Sequence, residues 1–559
     1  MYILGLWDGH DAGAAIIEDN KIKVAINEER ITRKKLDIGF PRQSIKACLD
    51  YLKIKPADIK VVAASTSDFS KTLTRIAPKL KDRYYLLRRR KILPRFSKFQ
   101  KSLKYTLTEI GSTKITRRLS QYLLRRELKK LGFEKFSLHI VDHHMAHAAS
   151  ALLSGFNKAL AITMDGVGDG LSGSVNILNN EKIERIASIS SKDSLGIFFE
   201  HVTNLLNMRE LEDEGKVMAL SDYAYEMPDE KNETRDFFEV SGLDIKAKYT
   251  SLEMYKQLKN ILWHTSHEQF AWMAQKTLEK NLMKFFENAI KETGIRNVAW
   301  SGGVASNVKA NLIIKNLKEL KKWFVFPHMG DGGLALGAAL YINFKLNGQK
   351  SYKMDNLYFG PSYGDEEIKQ ALKKFNLKYE ERNDIEKYAA DLISKENIVL
   401  WFQGRMEYGP RALGNRSILA PAFSEEVKDK LNLQIKRREW FQPFCPSLLK
   451  EEAKKFFTDI KQYDKFMVMG YNTKKSIRHK LKSVINVDGS ARPQMLDNEN
   501  KKFRNLIKQV KKNTGDGVVL NTSLNLHGFP IVNKPEEAIE VMLNTKSKYL
   551  ALGNYLIKR

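Results

Sequence analysis

Trp401-Phe402-Gln403-Gly404-Arg405-Met406-Glu407-Tyr408-Gly409-Pro410-Arg411-Ala412-Leu413-Gly414-Asn415-Arg416-Ser417 follows the apolar run 398–402 and sets three arginines among glycines and a proline. The expected structure is a buried strand opening into a tight turn lined by Arg405, Arg411 and Arg416. Such a turn suits a phosphate or a carboxylate, because guanidinium groups and turn amides both donate to anions. Arginines in surface ion pairs are the plainer alternative, and the crowding of turn residues argues against it.

Outward from this stretch the pattern is α/β. Upstream, residues 2–7, 13–18 and 21–26 read as a strand meander, 42–54 as an amphipathic helix, and 61–64, 138–141 and 159–164 as further strands. A helix is expected from about 143 to 153 and a longer one over 267–292, stopped by Gly294 before a strand at 297–300. A strand-turn-helix unit follows over 324–340. Residues 346–363, with Gly348, Gly360 and Pro361, read as a linker between domains at 1–345 and 364–559. At 559 residues two or more domains are expected.

With 43% hydrophobic residues and 14 prolines the chain is globular rather than disordered. Cys48 and Cys445 form no metal or redox spacing, and the start Met-Tyr-Ile-Leu-Gly-Leu-Trp-Asp carries no basic leader, so a reducing, cytoplasmic setting is expected. The net charge of +28 is local. Residues 71–130 hold 20 Lys plus Arg against Asp82, Glu109 and Glu127, a net of +17, which leaves +11 for the other 499 residues. Apolar residues there (Leu80, Tyr84, Leu87, then Leu119, Leu123, Leu124) recur at helical spacing, so the segment reads as a basic helical insertion.

His143 and His147 lie four apart, and on a helix that spacing puts two imidazoles within reach of one metal ion. Asp165 and Asp331, each just past an expected strand, are the best carboxylates to complete the site. Histidines that merely cap or pack a helix are the competing account. Ser301-Gly302-Gly303, with Asn307 beyond, follows a strand and opens a helix, a shape that offers free amides to a phosphate. Asp165-Gly166-Val167-Gly168-Asp169-Gly170 is read as a second phosphate-facing turn. No Walker A lysine pattern is present. In the last third, Lys436, Arg492, Asn521 and Ser523 are expected to converge on the same anion as the three arginines.

With these residues in hand, the chain resembles the carbamoyltransferases of the NodU/CmcH type. The resemblance rests on Gly9-His10-Asp11, Glu28-Glu29-Arg30, His143 to His147, Thr163-Met164-Asp165-Gly166, Glu214 to Met218, Ser301-Gly302-Gly303, Gly404 to Ser417, Lys436 to Pro446 and Asn521 to Asn525. It implies an actin-like (duplicated RNase H-like, ASKHA) ATPase domain followed by a YrdC-like domain. The second would make carbamoyl adenylate from carbamoyl phosphate and ATP, and the first would pass the carbamoyl group to a hydroxyl. By the same resemblance His143, His147, Asp165 and Asp331 would hold a divalent metal, iron in the first instance, with Mg2+ as a further ion. Ser301, Gly302, Gly303 and Asn307 would contact nucleotide, and Arg405, Arg411, Arg416, Lys436, Arg492, Asn521 and Ser523 would bind carbamoyl phosphate and ATP. His10 is the expected general base, oriented by Asp8 or Asp11. Gln442-Pro443-Phe444-Cys445-Pro446 stands where the family has Arg-Pro-Phe-Ala-Pro, so one phosphate contact is expected to be absent or replaced.

The acceptor is expected to be a small or lipid-linked hydroxyl compound. A nucleic-acid modification factor is the rival reading, since the first domain is similar to tRNA threonylcarbamoyl transferases and 71–130 is strongly basic. That segment, with Tyr84, Tyr85, Phe96, Phe99 and Tyr105, is compatible with RNA stacking, with docking on an anionic membrane, or with a plain insertion that lids the site or joins a homodimer.

Overall fold

The computed structural model describes residues 1–89, 109–348 and 350–559. They divide into two units, Met1–Glu28 with Leu36–Met354, and Glu29–Lys35 with Asp355–Arg559. The break at 354–355 falls inside the stretch read as a linker.

The first unit uses one strand pattern twice. β1 (Tyr2–Trp7), β2 (Gly13–Glu18) and β3 (Lys21–Asn27) form an antiparallel meander, and β4 (Ile59–Ser65) and β5 (Ser137–Val141) add parallel to β1, giving the order β3-β2-β1-β4-β5. β6 (Ala159–Gly168), β7 (Leu171–Leu178) and β8 (Ile183–Ser190) form a second meander. After the hairpin β9 (Phe238–Ser241) and β10 (Asp244–Ala247), β11 (Asn297–Ser301) and β12 (Lys322–Val325) add parallel to β6. The resulting order, β8-β7-β6-β11-β12, repeats the first sheet strand for strand. The parallel strands need crossovers, and the helices between them supply these. Buried strands such as β1 and β2 read as continuous apolar runs because both faces are covered. The helix Leu334–Asn347 lies so close to β1 that a Cβ on Gly5 would stand 1.9 Å from the Ala335 carbonyl oxygen. Its own Gly337 meets the Ala146 carbonyl oxygen in the same way, at 2.1 Å.

In the basic segment, helices run over Phe69–Ile76, Pro78–Arg88 and Lys114–Lys129. Leu123 and Leu124 are buried as expected, but Leu119 faces outward. Phe96, Phe99 and Tyr105, and with them the centre of the basic segment, lie outside the described residues.

The second unit is an eight-stranded mixed sheet with the order β13-β22-β21-β14-β15-β20-β16-β19. Its strands are β13 (Glu380–Glu381), β14 (Val399–Phe402), β15 (Arg416–Pro421), β16 (Cys445–Leu449), β19 (Gln494–Leu496), β20 (Val518–Ser523), β21 (Tyr549–Leu552) and β22 (Tyr555–Lys558). The pair β17 (Tyr471–Asn472) and β18 (Ser490–Ala491) stands apart. Helices Ile385–Ser394 and Lys501–Thr514 pack on the large sheet through Ile385, Ala389, Phe503, Leu506 and Ile507. The short arm Glu29–Lys35 belongs here: Arg30 donates to Gly409 O (2.6 Å), and Arg33 to Ile531 O (2.8 Å) and Pro530 O (2.9 Å).

Candidate functional sites

Asp142 caps the helix His143–Ala149 by accepting the Met145 N–H (2.9 Å), and the next turns carry His143 and His147 on one face. Asp165 comes from β6 and Asp331 from the turn beyond β12. One ligand atom of each of the four lies within 4.8 Å of all the others. His147 Nε2 is 3.1 Å from Asp165 Oδ2 and 3.6 Å from Asp331 Oδ1, and His143 Nε2 is 3.5 Å from Asp331 Oδ1. His143 Nε2, His147 Nε2 and Asp165 Oδ2 are buried without a hydrogen-bond partner. Buried polar atoms are seldom left so, and two imidazoles with two carboxylates are a fitting donor set for a divalent cation.

Neighbours fix the ligands. His143 Nδ1 faces Thr66 Oγ1 (3.1 Å), its backbone N–H is held by Asp169 Oδ2 (2.7 Å), and its ring lies against Gly168, where a Cβ would meet it at 2.2 Å. Burial alone would lower the His143 pKa, but the Asp331 and Asp165 carboxylates raise it to about 9, and the imidazoles hold both carboxyls down against their own burial. His144 turns the other way. Its Nε2 donates to Leu171 O (3.1 Å), its Nδ1 accepts from Thr163 Oγ1 (2.8 Å), and burial with two neighbouring imidazoles pushes its pKa to about 3.

His10 joins the cluster, with Nε2 3.1 Å from Asp331 Oδ2 and Nδ1 buried and unpartnered. The carboxylate beside it is therefore Asp331 and not Asp8. Asp8 is taken by Lys71 (2.8 Å) and Arg75 (2.8 and 2.9 Å), cations of the basic segment. Asp11 sits at φ 56° with its carbonyl oxygen accepting from Asn27 (3.1 Å). Tyr85 places its ring 5.4 Å from His10, while Arg88 pairs with Glu200 and Glu210 and Arg89 with Glu212.

The glycine turn after β11 forms one wall of this site. Ser301 Oγ donates to His147 O (2.9 Å), Gly302 at φ 95° leaves no room for a Cβ beside Met164 O, and a Cβ on Gly303 would lie 2.9 Å from Asp165 Oδ1. Asn307 caps the helix Val308–Lys315 through Ala310 N–H (3.0 Å) and exchanges two hydrogen bonds with Gln275 (3.1 and 2.9 Å), so its side chain is used inside the protein. The glycine-rich run 165–170, expected to form a phosphate-facing turn, is the end of β6 and the turn of a hairpin into β7. Its Asp169 serves as the His143 clamp.

In the second unit the strand-and-turn reading of 401–417 holds: β14 ends at Phe402 and β15 begins at Arg416. Glu407 organises the turn, its Oε1 accepting the backbone N–H groups of Leu413 (2.8 Å), Asn415 (2.8 Å) and Arg416 (3.1 Å). Arg405 is bound to the carbonyl oxygens of Phe359 (2.8 Å) and Gly360 (3.0 Å). Arg416 stacks 3.6 Å over the Phe402 ring and is fully buried, with Nε and Nη2 unpartnered. Arg411 Nε is also buried and unpartnered, and burial with Arg492 nearby pushes its pKa down. Arg492 donates from Nε (3.2 Å) and Nη2 (2.9 Å) to Cys445 Sγ, and Arg438 lies 4.1 Å over the Phe444 ring. Register sets Cys445 opposite Asn521, whose Oδ1 is buried without a partner. Lys436 Nζ reaches Ser523 O (2.5 Å) and Asn525 Oδ1 (2.7 Å), and burial pushes its pKa well down. Buried guanidinium N–H groups left without partners, as on Arg411 and Arg416, favour an anion.

Two matches cover nearly the whole chain: residues 2–340 match the carbamoyltransferase N-terminus and residues 390–559 the carbamoyltransferase C-terminus. The chain belongs to the carbamoyltransferase family. A similar, uncharacterized protein of Methanocaldococcus jannaschii is 33% identical over 100% of this chain and 99% of its own length. Nodulation protein NolNO of Sinorhizobium fredii is 31% identical over 98% of this chain and 79% of its own. Among solved structures, that of T. kodakarensis HypF aligns with a TM-score of 0.33 and 18% identity over 62% of this chain and 48% of that one, too loosely to add to the topology above.

Several residues beside these two clusters were not legible in advance. Arg88 and Arg89 looked like part of a charge run, and the signal of their partners Glu210 and Glu212 is the acidic stretch Glu210-Leu211-Glu212-Asp213-Glu214. Glu407 looked like one more turn residue. Glu407→Ala removes one charged acceptor from three backbone amides and is expected to cost about 3 kcal/mol or more, read as a fall in the urea midpoint with unchanged slope. Glu214 carries a pH signature. Burial, with Glu200 beside it, raises its pKa from 4.5 to about 8. The folded protein then keeps a proton that the unfolded chain releases, so this contribution is full below 4.5 and is lost as pH rises toward 8. In Glu214→Gln the melting temperature is expected to gain on the parent as pH rises through that window, and a constant difference would contradict the assignment.

Proposed function

We propose that this carbamoyltransferase makes carbamoyl adenylate from carbamoyl phosphate and ATP in its second, YrdC-like unit and transfers the carbamoyl group to a hydroxyl in its first, actin-like unit. The observation that carries the reading is the pairing of two incomplete sites: a buried His2Asp2 cluster with unpartnered ligand atoms, and a buried arginine set with unpartnered N–H groups. Arg411, Arg416 and Arg492 bind the phosphate oxygens, with Arg438 in place of the family arginine that Gln442 replaces. Carbamoyl phosphate gives up its phosphate to water, and the carbamate oxygen attacks the α-phosphorus of ATP as pyrophosphate leaves.

His143, His147, Asp165 and Asp331 would hold the metal, Fe2+ by the family resemblance, which when bound polarises the carbonyl and offsets phosphate charge. His10 acts as base through Nδ1: its Nε2–H donates to Asp331, which leaves the Nδ1 lone pair for the acceptor hydroxyl proton. The carbonyl carbon then takes the hydroxyl oxygen, and AMP leaves. The Ser301-Gly302-Gly303 turn receives the nucleotide through backbone amides. Mg2+ accompanies ATP.

The test is a panel of hydroxyl acceptors, from monosaccharides to oligosaccharides and lipid-linked sugars, incubated with ATP and carbamoyl phosphate and read by mass spectrometry. An O-carbamoyl product formed with one AMP per transfer supports the reading. Product formed without AMP would replace the adenylate by direct transfer.

A further inference from the structure

The helix Lys114–Lys129 packs one face on the protein, through Thr116, Ser120, Leu123, Leu124 and Leu128. Gln121 reaches Leu138 O (3.5 Å) and Arg125 reaches Phe136 O (3.3 Å), so this face lies along β5, the edge strand of the first sheet. Among the described residues, the opposite face is exposed. At positions 115, 119, 122 and 126, which fall on one line of a helix, stand Ile115 (78% exposed), Leu119 (38%), Tyr122 (64%) and Arg126. Arg118 and Lys129 flank that line. The helix has six cations against one acid, Glu127, which turns sideways to Arg42 and Lys130 (2.7 Å) and lies 3.8 Å from Arg126. The outward face is therefore apolar and predominantly cationic.

We propose that this face docks the protein on an anionic lipid surface. Charge chooses the occupant. A second copy of the chain would bring an equally cationic face against it. A nucleic acid would use the cations but has no use for an isoleucine and a leucine in the line, where only Tyr122 can stack. At a membrane both sets count: Ile115, Leu119 and Tyr122 enter the headgroup boundary, while Arg118, Arg126 and Lys129 meet anionic headgroups. The surrounding segment has the matching sign, with a net charge of +17 over 71–130. Docking here would bring the first unit to acceptors carried on lipid, although the inference stands on this helix alone and not on the reaction proposed above.

The full chain is to be sedimented with vesicles of phosphatidylcholine, alone or with about a third phosphatidylserine. Binding is expected only to the anionic vesicles, falling with added salt. It should weaken at least about tenfold in Ile115→Glu/Tyr122→Glu and again in Arg118→Glu/Arg126→Glu, all exposed positions whose replacement leaves the melting temperature unchanged. In Tyr122→Trp, tryptophan emission should shift to the blue on anionic vesicles beyond any shift of the parent. No vesicle binding, equal binding to neutral vesicles, or binding that survives both double variants overturns the proposal. Binding to single-stranded RNA that only the arginine variant loses, with vesicles ignored, would make the face a nucleic-acid surface.

Discussion

His147→Ala is expected to lower carbamoyl transfer to the acceptor about a thousandfold while leaving pyrophosphate release from ATP and carbamoyl phosphate within about threefold of the parent. The split follows from where the residue sits. His147 Nε2 lies 3.1 Å from Asp165 Oδ2 inside the first unit, and its loss removes one of four ligands around a point where three buried atoms have no other partner. Metal content of the purified variant should fall with activity, and Asp165→Asn should behave alike. The backbone of the site should survive, because Ser301 is anchored to the carbonyl oxygen of residue 147 and not to its imidazole. Equal loss of both half-reactions would mean that the cluster serves adenylation as well.

Arg492→Ala should show the reverse split. Its guanidinium points two N–H groups at Cys445 Sγ and lies near Arg411, whose Nε is buried without a partner. Removing one oxyanion donor from a preorganised site costs about a hundred- to a thousandfold. Pyrophosphate release should fall by that factor, with KM for carbamoyl phosphate rising, while metal content stays at the parent level. Arg492→Lys should recover only part, since an ammonium cannot reproduce the paired N–H geometry. Arg405→Ala gives the contrast: it holds the carbonyl oxygens of Phe359 and Gly360 and should lower stability more than substrate affinity.

The α/β order of elements, the long helix expected over 267–292, the strand opening into the arginine turn and the convergence of His143, His147, Asp165 and Asp331 could be read from the sequence, because each depends on local spacing or on residue types that share one chemistry. The repeat of β3-β2-β1-β4-β5 as β8-β7-β6-β11-β12 was expected only from the family resemblance, since the two halves share topology without a repeated sequence motif. Side-chain commitments were equally hidden. Asp8 lies two residues before His10, yet it belongs to Lys71 and Arg75, more than sixty positions away. Asn307 had the right place to face a nucleotide and instead pairs with Gln275. Leu119 fitted a helical packing period, but the buried stripe of its helix runs through Ser120, Leu123 and Leu124, one register around.

The most direct test is pyrophosphate release from ATP by the protein reconstituted with ferrous iron, measured with and without carbamoyl phosphate and before any acceptor is added. The account predicts release only with carbamoyl phosphate, within about threefold of the parent in His147→Ala and down at least about a hundredfold in Arg492→Ala. Release that ignores carbamoyl phosphate, or none at all in the parent with any divalent metal, would contradict the adenylate route.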